Sequence, residues 1–360
     1  MPTSCAPLSR LGIVLVLMAC LALLGWGDQP SRAAPAGAAQ RGIAATQDLS
    51  STVAGNPLRL HRRLWVDRGF SAAKAATELA ALGRLQDAAL LRWLAARPTG
   101  VWFTGQSGDP DRLRRTMDAA TAAHAVPVVV AYDIPYRDCG GYSANGAVSP
   151  AAYRTWVRSL ARSIGRRPVV VIVEPDAVAH AVSGCLAESA VAERFGLLRY
   201  AVRTLKQNPN AAVYLDAGNA GWITPADRLV APLHASGSDE ADGFSLNVSS
   251  FYDTGSTVGY GTDLSRRLGG AHFVIDTSRN GNGAAPAQTD SSPSWCNPPG
   301  RAVGHDPTTH TGRALVDAYL WVKPPGNSDG ACRTGEPPAG QWWTEYALQL
   351  VRGRGPSGSR

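Results

Sequence analysis

The chain has 360 residues, of which 18% are charged and 44% hydrophobic, and a formal net charge of +7. This composition supports a sizeable packed core and excludes a globally disordered chain. Lys and Arg are scattered, with no basic run of the kind that lines a nucleic-acid groove, so no nucleic-acid partner is expected.

Arg10 precedes an apolar run from Leu11 to Trp26, followed by small residues from Ala33 to Ala39. This reads as a secretory signal peptide over residues 1–36, cut near Ala34–Ala39, and the expected destination is extracellular. An uncleaved membrane anchor is the first alternative. A lipoprotein box at Leu17-Met18-Ala19-Cys20 is the second, weakened by the apolar residues that follow Cys20. Residues 37–56 are small, polar and aperiodic, a flexible segment. One domain is expected over 57–352 and a tail over 353–360.

Within the domain, Ser71 to Leu82 and Leu85 to Ala96 carry Ala and Leu at helical spacing. Val101-Trp102-Phe103 reads as a short strand, and Asp109-Pro110 opens a helix to about Ala125. Val128 to Asp133 is a strand. Ser149-Pro150 is an N-cap and first-turn pair for a helix to about Ile164. Val169 to Glu174 is an unbroken apolar run, the mark of a strand buried on both faces in a parallel sheet. Val191, Phe195, Leu198, Val202 and Leu205 define a helical face. Ala212 to Leu215 is a strand, and Thr224-Pro225 opens a helix. Phe244 to Val248 is a strand, residues 262–268 a short helix, and His272 to Ile275 a strand. After a Gly/Pro-rich loop come a strand from Ala318 to Val322 and a helix from Trp342 to Val351.

Seven strands alternating with helices predict α/β architecture with parallel pairing and right-handed crossovers. The count fits a TIM-like barrel better than an open dinucleotide fold, and no Gly-rich phosphate loop follows the first strand. Asp133, Asp138, Glu174, Asp176, Asp216, Asn247, Asp276, Arg279, Lys323 and Asp329 all lie just past strands. In such a barrel that rim carries the chemistry. Crowded carboxylates cost energy, and enzymes accept the cost where they need acids with split pKa values. The aromatics Trp102, Tyr132, Tyr136, Trp222, Tyr252, Trp295 and Trp321 join them, most as packing. Carboxylates among aromatic platforms, with no cofactor motif, suggest a neutral polyhydroxyl substrate and hydrolysis by two acids.

Specific motifs strengthen this reading. Tyr132-Asp133-Ile134-Pro135-Tyr136-Arg137-Asp138-Cys139, Val173-Glu174-Pro175-Asp176 and Asp216-Ala217-Gly218-Asn219-Ala220-Gly221-Trp222 resemble glycoside hydrolase family 6. So do Asp276-Thr277-Ser278-Arg279-Asn280-Gly281, Trp295-Cys296-Asn297 and Trp321 through Gly330. The resemblance runs from about residue 57 to 351. It implies a distorted seven-stranded parallel (β/α) barrel and a secreted, inverting enzyme that works on a β-1,4-linked glucan without metal or other cofactor; apart from the resemblance, a monomer is expected. By that resemblance Asp176 is the general acid, Asp138 its pKa-raising neighbour and Asp329 the base, acting through water. Asp216 orients the site, and Tyr132 presses on the sugar at the cleavage point. Lys323, Trp102, Trp222, Asn247 and Trp295 line sugar subsites, and Ser143 positions water. The sequence departs from the family pattern at Asn219, where many members have His, and at Asn327, where many have Glu.

Four cysteines follow the signal: Cys139, Cys185, Cys296 and Cys332. An even number in an exported chain suggests two disulfides. None has zinc-site spacing. Cys139 and Cys185 follow neighbouring strands, as do Cys296 and Cys332, which predicts pairs 139–185 and 296–332. The leading expectation is an endo-β-1,4-glucanase. A cellobiohydrolase, and a carbohydrate-binding protein that has lost catalysis, are the alternatives.

Overall fold

The computed structural model describes residues 56–286 and 292–354. The expected signal peptide, residues 37–55 of the flexible segment and residues 355–360 of the tail lie outside the described residues.

The seven strands form one sheet in sequence order. They are β1 (Val101–Phe103), β2 (Val128–Ala131), β3 (Val169–Val173), β4 (Ala211–Asp216), β5 (Gly243–Leu246), β6 (His272–Asp276) and β7 (Val316–Leu320). Every neighbouring pair is parallel. The central run behaves as its composition demands, since all of β3 is buried. Val170 and Ile172 pack inside the barrel with Val130, Tyr214, Val274 and Leu320. Val169, Val171 and Val173 pack outward against the helices. A two-residue period at full burial is what a strand with two covered faces requires.

The outer layer includes α1 (Ser71–Ala81), α2 (Leu85–Ala95), α3 (Asp109–Ala122), α4 (Pro150–Ile164), α5 (Ala177–Val182), α6 (Glu188–Leu205), α7 (Val230–Ala235), α8 (Thr254–Arg267) and α9 (Thr344–Arg352). Ser149 caps α4, its hydroxyl accepting from the Ala152 amide at 3.2 Å. Three expectations need correction. Helix α8 begins at Thr254 rather than 262, capped by Asp253, which accepts from the Ser256 amide at 2.9 Å. Gly255, Gly259 and Gly261 depress helix propensity there and hide the periodicity. The segment after Pro225 forms a single turn over Ala226–Leu229 before α7 begins. The six-residue α5 was not anticipated, because it is too short to show a periodic face.

The barrel does not close by a regular ladder. Among the described residues β1 and β7 form no strand pair, and the chain leaving β7 meets β1 through two contacts instead. The Gly100 amide donates to the Trp321 carbonyl at 2.8 Å, and the Trp102 indole donates to the Val322 carbonyl at 2.9 Å. A Cβ on Gly100 would lie 2.3 Å from the Val322 oxygen, so this approach requires glycine. The seam is where a cleft opens.

Candidate active site

The C-terminal ends of the strands turn sharply. Tyr136, Asp138, Cys139, Glu174, Asp176, Asn247, Ser249 and Asn297 all have positive φ without being glycine. Each such residue costs energy that the surroundings must supply, and such residues cluster where geometry serves a function. Two disulfides brace these turns, Cys139–Cys185 and Cys296–Cys332, in the pairing expected from the sequence.

Asp176 follows β3 with φ of 70°. Its amide donates to Asp216 at 2.8 Å. Burial pushes the Asp176 carboxyl well above its usual range, and the charges of Asp216 and Asp138 push it further. Lys323 pulls the other way without reversing the direction. Asp216, at the end of β4, is fully buried and accepts from the Asp176 and Gly218 amides and from the Ser245 hydroxyl. Burial raises it to about 7 despite those donors. The carboxyl that follows β3 is thus biased towards its protonated form by burial and by its acidic neighbours.

Asp329 is the opposite case. It lies beyond β7 and is buried, which alone would raise its pKa. Arg279, itself fully buried, donates to it at 2.8 Å, and the Lys323 ammonium stands 3.1 Å from its other oxygen. The Asn297 amide adds a third donor at 3.0 Å. Together these outweigh burial and hold the carboxyl below the usual carboxylate range. One rim therefore carries a carboxylic acid and a carboxylate, set apart by their surroundings.

Asp138 sits on the turn after β2, where its carboxylate accepts from the Ser143 amide at 2.6 Å. His180, on α5, lies 3.7 Å from its other oxygen and meets the Trp222 ring edge-on at 4.7 Å. Tyr132 is nearly buried, its ring edge-on to Trp102 at 5.2 Å and beneath the Arg137 guanidinium. Its phenol is raised well above 10 by burial, then by the charges of Asp176 and Asp138. Trp102, Tyr132, Ser143, Lys323 and Asn327 line a cleft of about 700 Å³ along the seam. Trp295 is 49% exposed and meets the half-exposed Tyr142 at 6.1 Å.

Of the residues the sequence singled out, Trp102, Tyr132, Ser143 and Lys323 line the cleft, Asp216 ends β4, Asp138, Asp176 and Asp329 stand on the chain that follows β2, β3 and β7, and Trp222 lies beyond β4 against His180. Asn247 is different. It is fully buried, and its carboxamide bonds the Tyr252 amide and the Tyr252 and Asp276 carbonyls, so it binds the loop after β5 rather than a sugar. Arg279 was visible past β6, but nothing in the sequence tied it to Asp329. His180 and Tyr142 carried no signal, since their partners come from other loops. Among the described residues, Cys139, His180 and Cys185 are close enough to hold a metal, as are Cys296, Cys332 and Glu336. In both groups the sulfurs are already joined as disulfides, and a disulfide is not a thiolate ligand.

The model of the family "Glycosyl hydrolases family 6" matches residues 60–354. Endoglucanase A of Cellulomonas fimi is 43% identical over 269 residues, covering 74% of this chain and 56% of its own length. The chain thus spans little more than half of that relative. Endoglucanase 1 of Streptomyces halstedii is 38% identical over 309 residues, covering 83% of this chain and 92% of its own. Among solved structures, an endoglucanase of Mycobacterium tuberculosis in complex with a methyl-cellobiosyl-thio-cellobioside superposes with a TM-score of 0.77. It is 44% identical, with 84% of this chain and 100% of that one covered.

Proposed function

The chain belongs to glycosyl hydrolases family 6, and from that premise we propose that it cleaves internal β-1,4-glucosidic bonds of cellulose or a related β-glucan, with inversion at the anomeric carbon. The observation that carries this reading is the split between Asp176, held protonated, and Asp329, held ionised. In the proposed mechanism Asp176 protonates the leaving glycosidic oxygen. Asp329, across the seam, receives the proton of the attacking water through a second water, because a carboxylate held down by two cations is a weak direct base. Asp138 and the Ser143 segment orient the attacking water, and Tyr132 presses on the sugar that bears the cleaved bond. Trp102, Trp222 and Trp295 offer ring faces for sugars, and Lys323 offers a donor. The alternative of a protein that has lost catalysis would be expected to have lost acids, and all three are here. Asn219 and Asn327 remove charge beside the subsites, which trims binding without touching the acid pair.

The test combines two measurements. NMR of the first product from a soluble β-glucan should show the α-anomer, and a β-anomer sinks inversion. Asp176→Ala should nearly abolish polymer cleavage while sparing a dinitrophenyl cellobioside, whose leaving group needs no proton. Full activity of that variant on polymer would remove Asp176 from the role of acid.

One observation favours a second reading, attack from chain ends. Tyr142, on the loop after β2, packs on Gly330 and faces Trp295, so the loops bearing Asp138 and Asp329 touch across the cleft. Viscosity of carboxymethylcellulose decides between them: an early fall, before many reducing ends appear, supports internal cleavage. We also propose that the protein is secreted, which the two disulfides and the apolar N-terminal run support.

A further inference from the structure

Glu174 ends β3 only two residues before Asp176, yet it is fully buried. Its carboxylate takes the Asp133 amide at 3.0 Å on both oxygens and the Ile134 amide at 3.1 Å on one. Those amides open the segment that carries Tyr132 at its start and Asp138 at its end. From α6 the buried Arg194 donates to the Pro135 carbonyl at 2.8 Å and the Tyr136 carbonyl at 3.1 Å, in the middle of the same segment. We propose that Glu174 is a positioning residue: it grips the Tyr132–Asp138 segment by its backbone and so fixes where Tyr132 and Asp138 stand relative to Asp176. This rests on the hydrolase reading above.

The segment needs such a grip. Tyr136 and Asp138 both have φ of 56° and Cys139 has φ of 47°, so the turn is strained and relaxes unless held. A neutral carbonyl could accept the same amides at lower desolvation cost. An ionised acceptor makes each bond roughly twice as strong, which suits a device that must hold geometry. The groups facing Glu174 are Asp133 on the gripped segment, Tyr153 on α4 and Arg194 on α6, with Tyr132 sensing its charge. Burial, only partly offset by the Asp133 and Ile134 amides, raises Glu174 to about 7. The grip is therefore strongest above neutrality and loosens as the carboxyl takes a proton, which removes an acceptor.

Glu174→Gln and Glu174→Asp test it together. Gln keeps the length and loses the charge, while Asp keeps the charge and loses the reach. On a soluble β-glucan both should lose kcat by roughly ten- to a hundredfold with KM within about threefold, since a misplaced group acts on the transition state. Hydrogen exchange at the Asp133 and Ile134 amides should speed up by at least about tenfold in both, a readout that needs no substrate. Unchanged kcat in both variants, with only a lower Tm, would reduce Glu174 to a stability residue and overturn the proposal. Full kcat in Glu174→Asp alone would assign the effect to charge rather than grip, with the same consequence. Should Glu174→Gln fail to fold, Tyr153→Phe removes only a hydroxyl beside the carboxyl. A severalfold fall in kcat with faster exchange at the two amides then supports the proposal, and neither change overturns it. A wild-type protein inert on every β-glucan would sink the hydrolase reading, and amide exchange would still decide the grip.

Discussion

Asp216→Asn isolates what keeps Asp176 protonated. Asn is close in shape, can still accept from the Asp176 and Gly218 amides, and can stay near the Ser245 hydroxyl. The charge is lost, and the atom facing the Ser245 hydroxyl becomes an NH2 that donates to it instead of accepting. The Asp176 amide lies 2.8 Å from Asp216 and the Asp216 charge raises Asp176; for scale, two unit charges about 5–6 Å apart repel by about 3 kcal/mol at an effective dielectric of about 20. That is an upper bound of about 2 pH units. Asp216 itself titrates at about 7, so the pair shares protons through the neutral range and only part of the repulsion is felt there. The alkaline limb of kcat/KM, which reports the free enzyme's acid, should move to lower pH by about 1–2 units, with activity near pH 5 little changed. The assay is kcat/KM on a soluble β-glucan from pH 4 to 9. An alkaline limb that stays in place, or moves to higher pH, refutes the claim that Asp216 holds the proton on Asp176.

Three other outcomes are expected. Arg279→Leu leaves Asp329 with only Lys323 for charge, so the Asp329 carboxyl should rise and the acid limb of the pH profile move to higher pH; urea unfolding should show a loss of about 3–5 kcal/mol for the broken buried pair. Glu174 is raised in the folded state from about 4.5 to about 7, so the native protein holds its proton where the unfolded chain has released it. Ionising it inside the fold costs stability through desolvation, although the amide bonds themselves tighten: the cost is absent below about pH 4.5 and grows to about 3 kcal/mol as pH rises to 7; Tm should fall over that window, and Glu174→Gln should flatten the fall. A Cβ on Gly330 would lie 2.4 Å from Tyr142, so Gly330→Ala should push that ring off its seat; the ratio of viscosity loss to reducing ends should rise, and an unchanged ratio removes Tyr142 as a roof.

The strands were legible because a doubly covered strand must be apolar throughout, and Val169 to Val173 is. The cysteine pairing was legible because neighbouring parallel strands put their following loops side by side. Helix α8 was obscured by its glycines, of which Gly261 is needed where a Cβ would lie 2.5 Å from the Phe273 ring. The tie between Arg279 and Asp329 spans 50 residues, and no local pattern encodes it. The rim acids were legible as a set but not as individuals. Crowding alone suggested a catalytic reason for all of them, whereas the donors around each carboxyl separate them, and most of those donors come from elsewhere in the chain: backbone amides for Glu174, the Asp176 amide and Ser245 hydroxyl for Asp216, and the Arg279 and Lys323 side chains for Asp329.

That separation follows a rule in the fold. Glu174, ending β3, takes amides from the loop after β2. Asp216, ending β4, takes the Asp176 amide from the loop after β3. Asp276, ending β6, takes the Ser249 amide from the loop after β5 and the Lys323 amide from the chain leaving β7. Each acid thus ties its own strand to a neighbour's loop, which parallel register brings within reach. Burial raises all three, and the amides offset only part of that cost. What the cost secures is position, because loops with positive φ have no ladder of their own to hold them. Asp138 and Asp176 lie on loops gripped in this way, by Glu174 and by Asp216. The third acid, Asp329, stands beyond the last strand, where no further strand can supply an acid, and it is held by two cations and the Asn297 amide instead. The break between β1 and β7 therefore both opens the cleft and changes how the last carboxyl is held, and this change leaves it ionised while Asp176 keeps its proton.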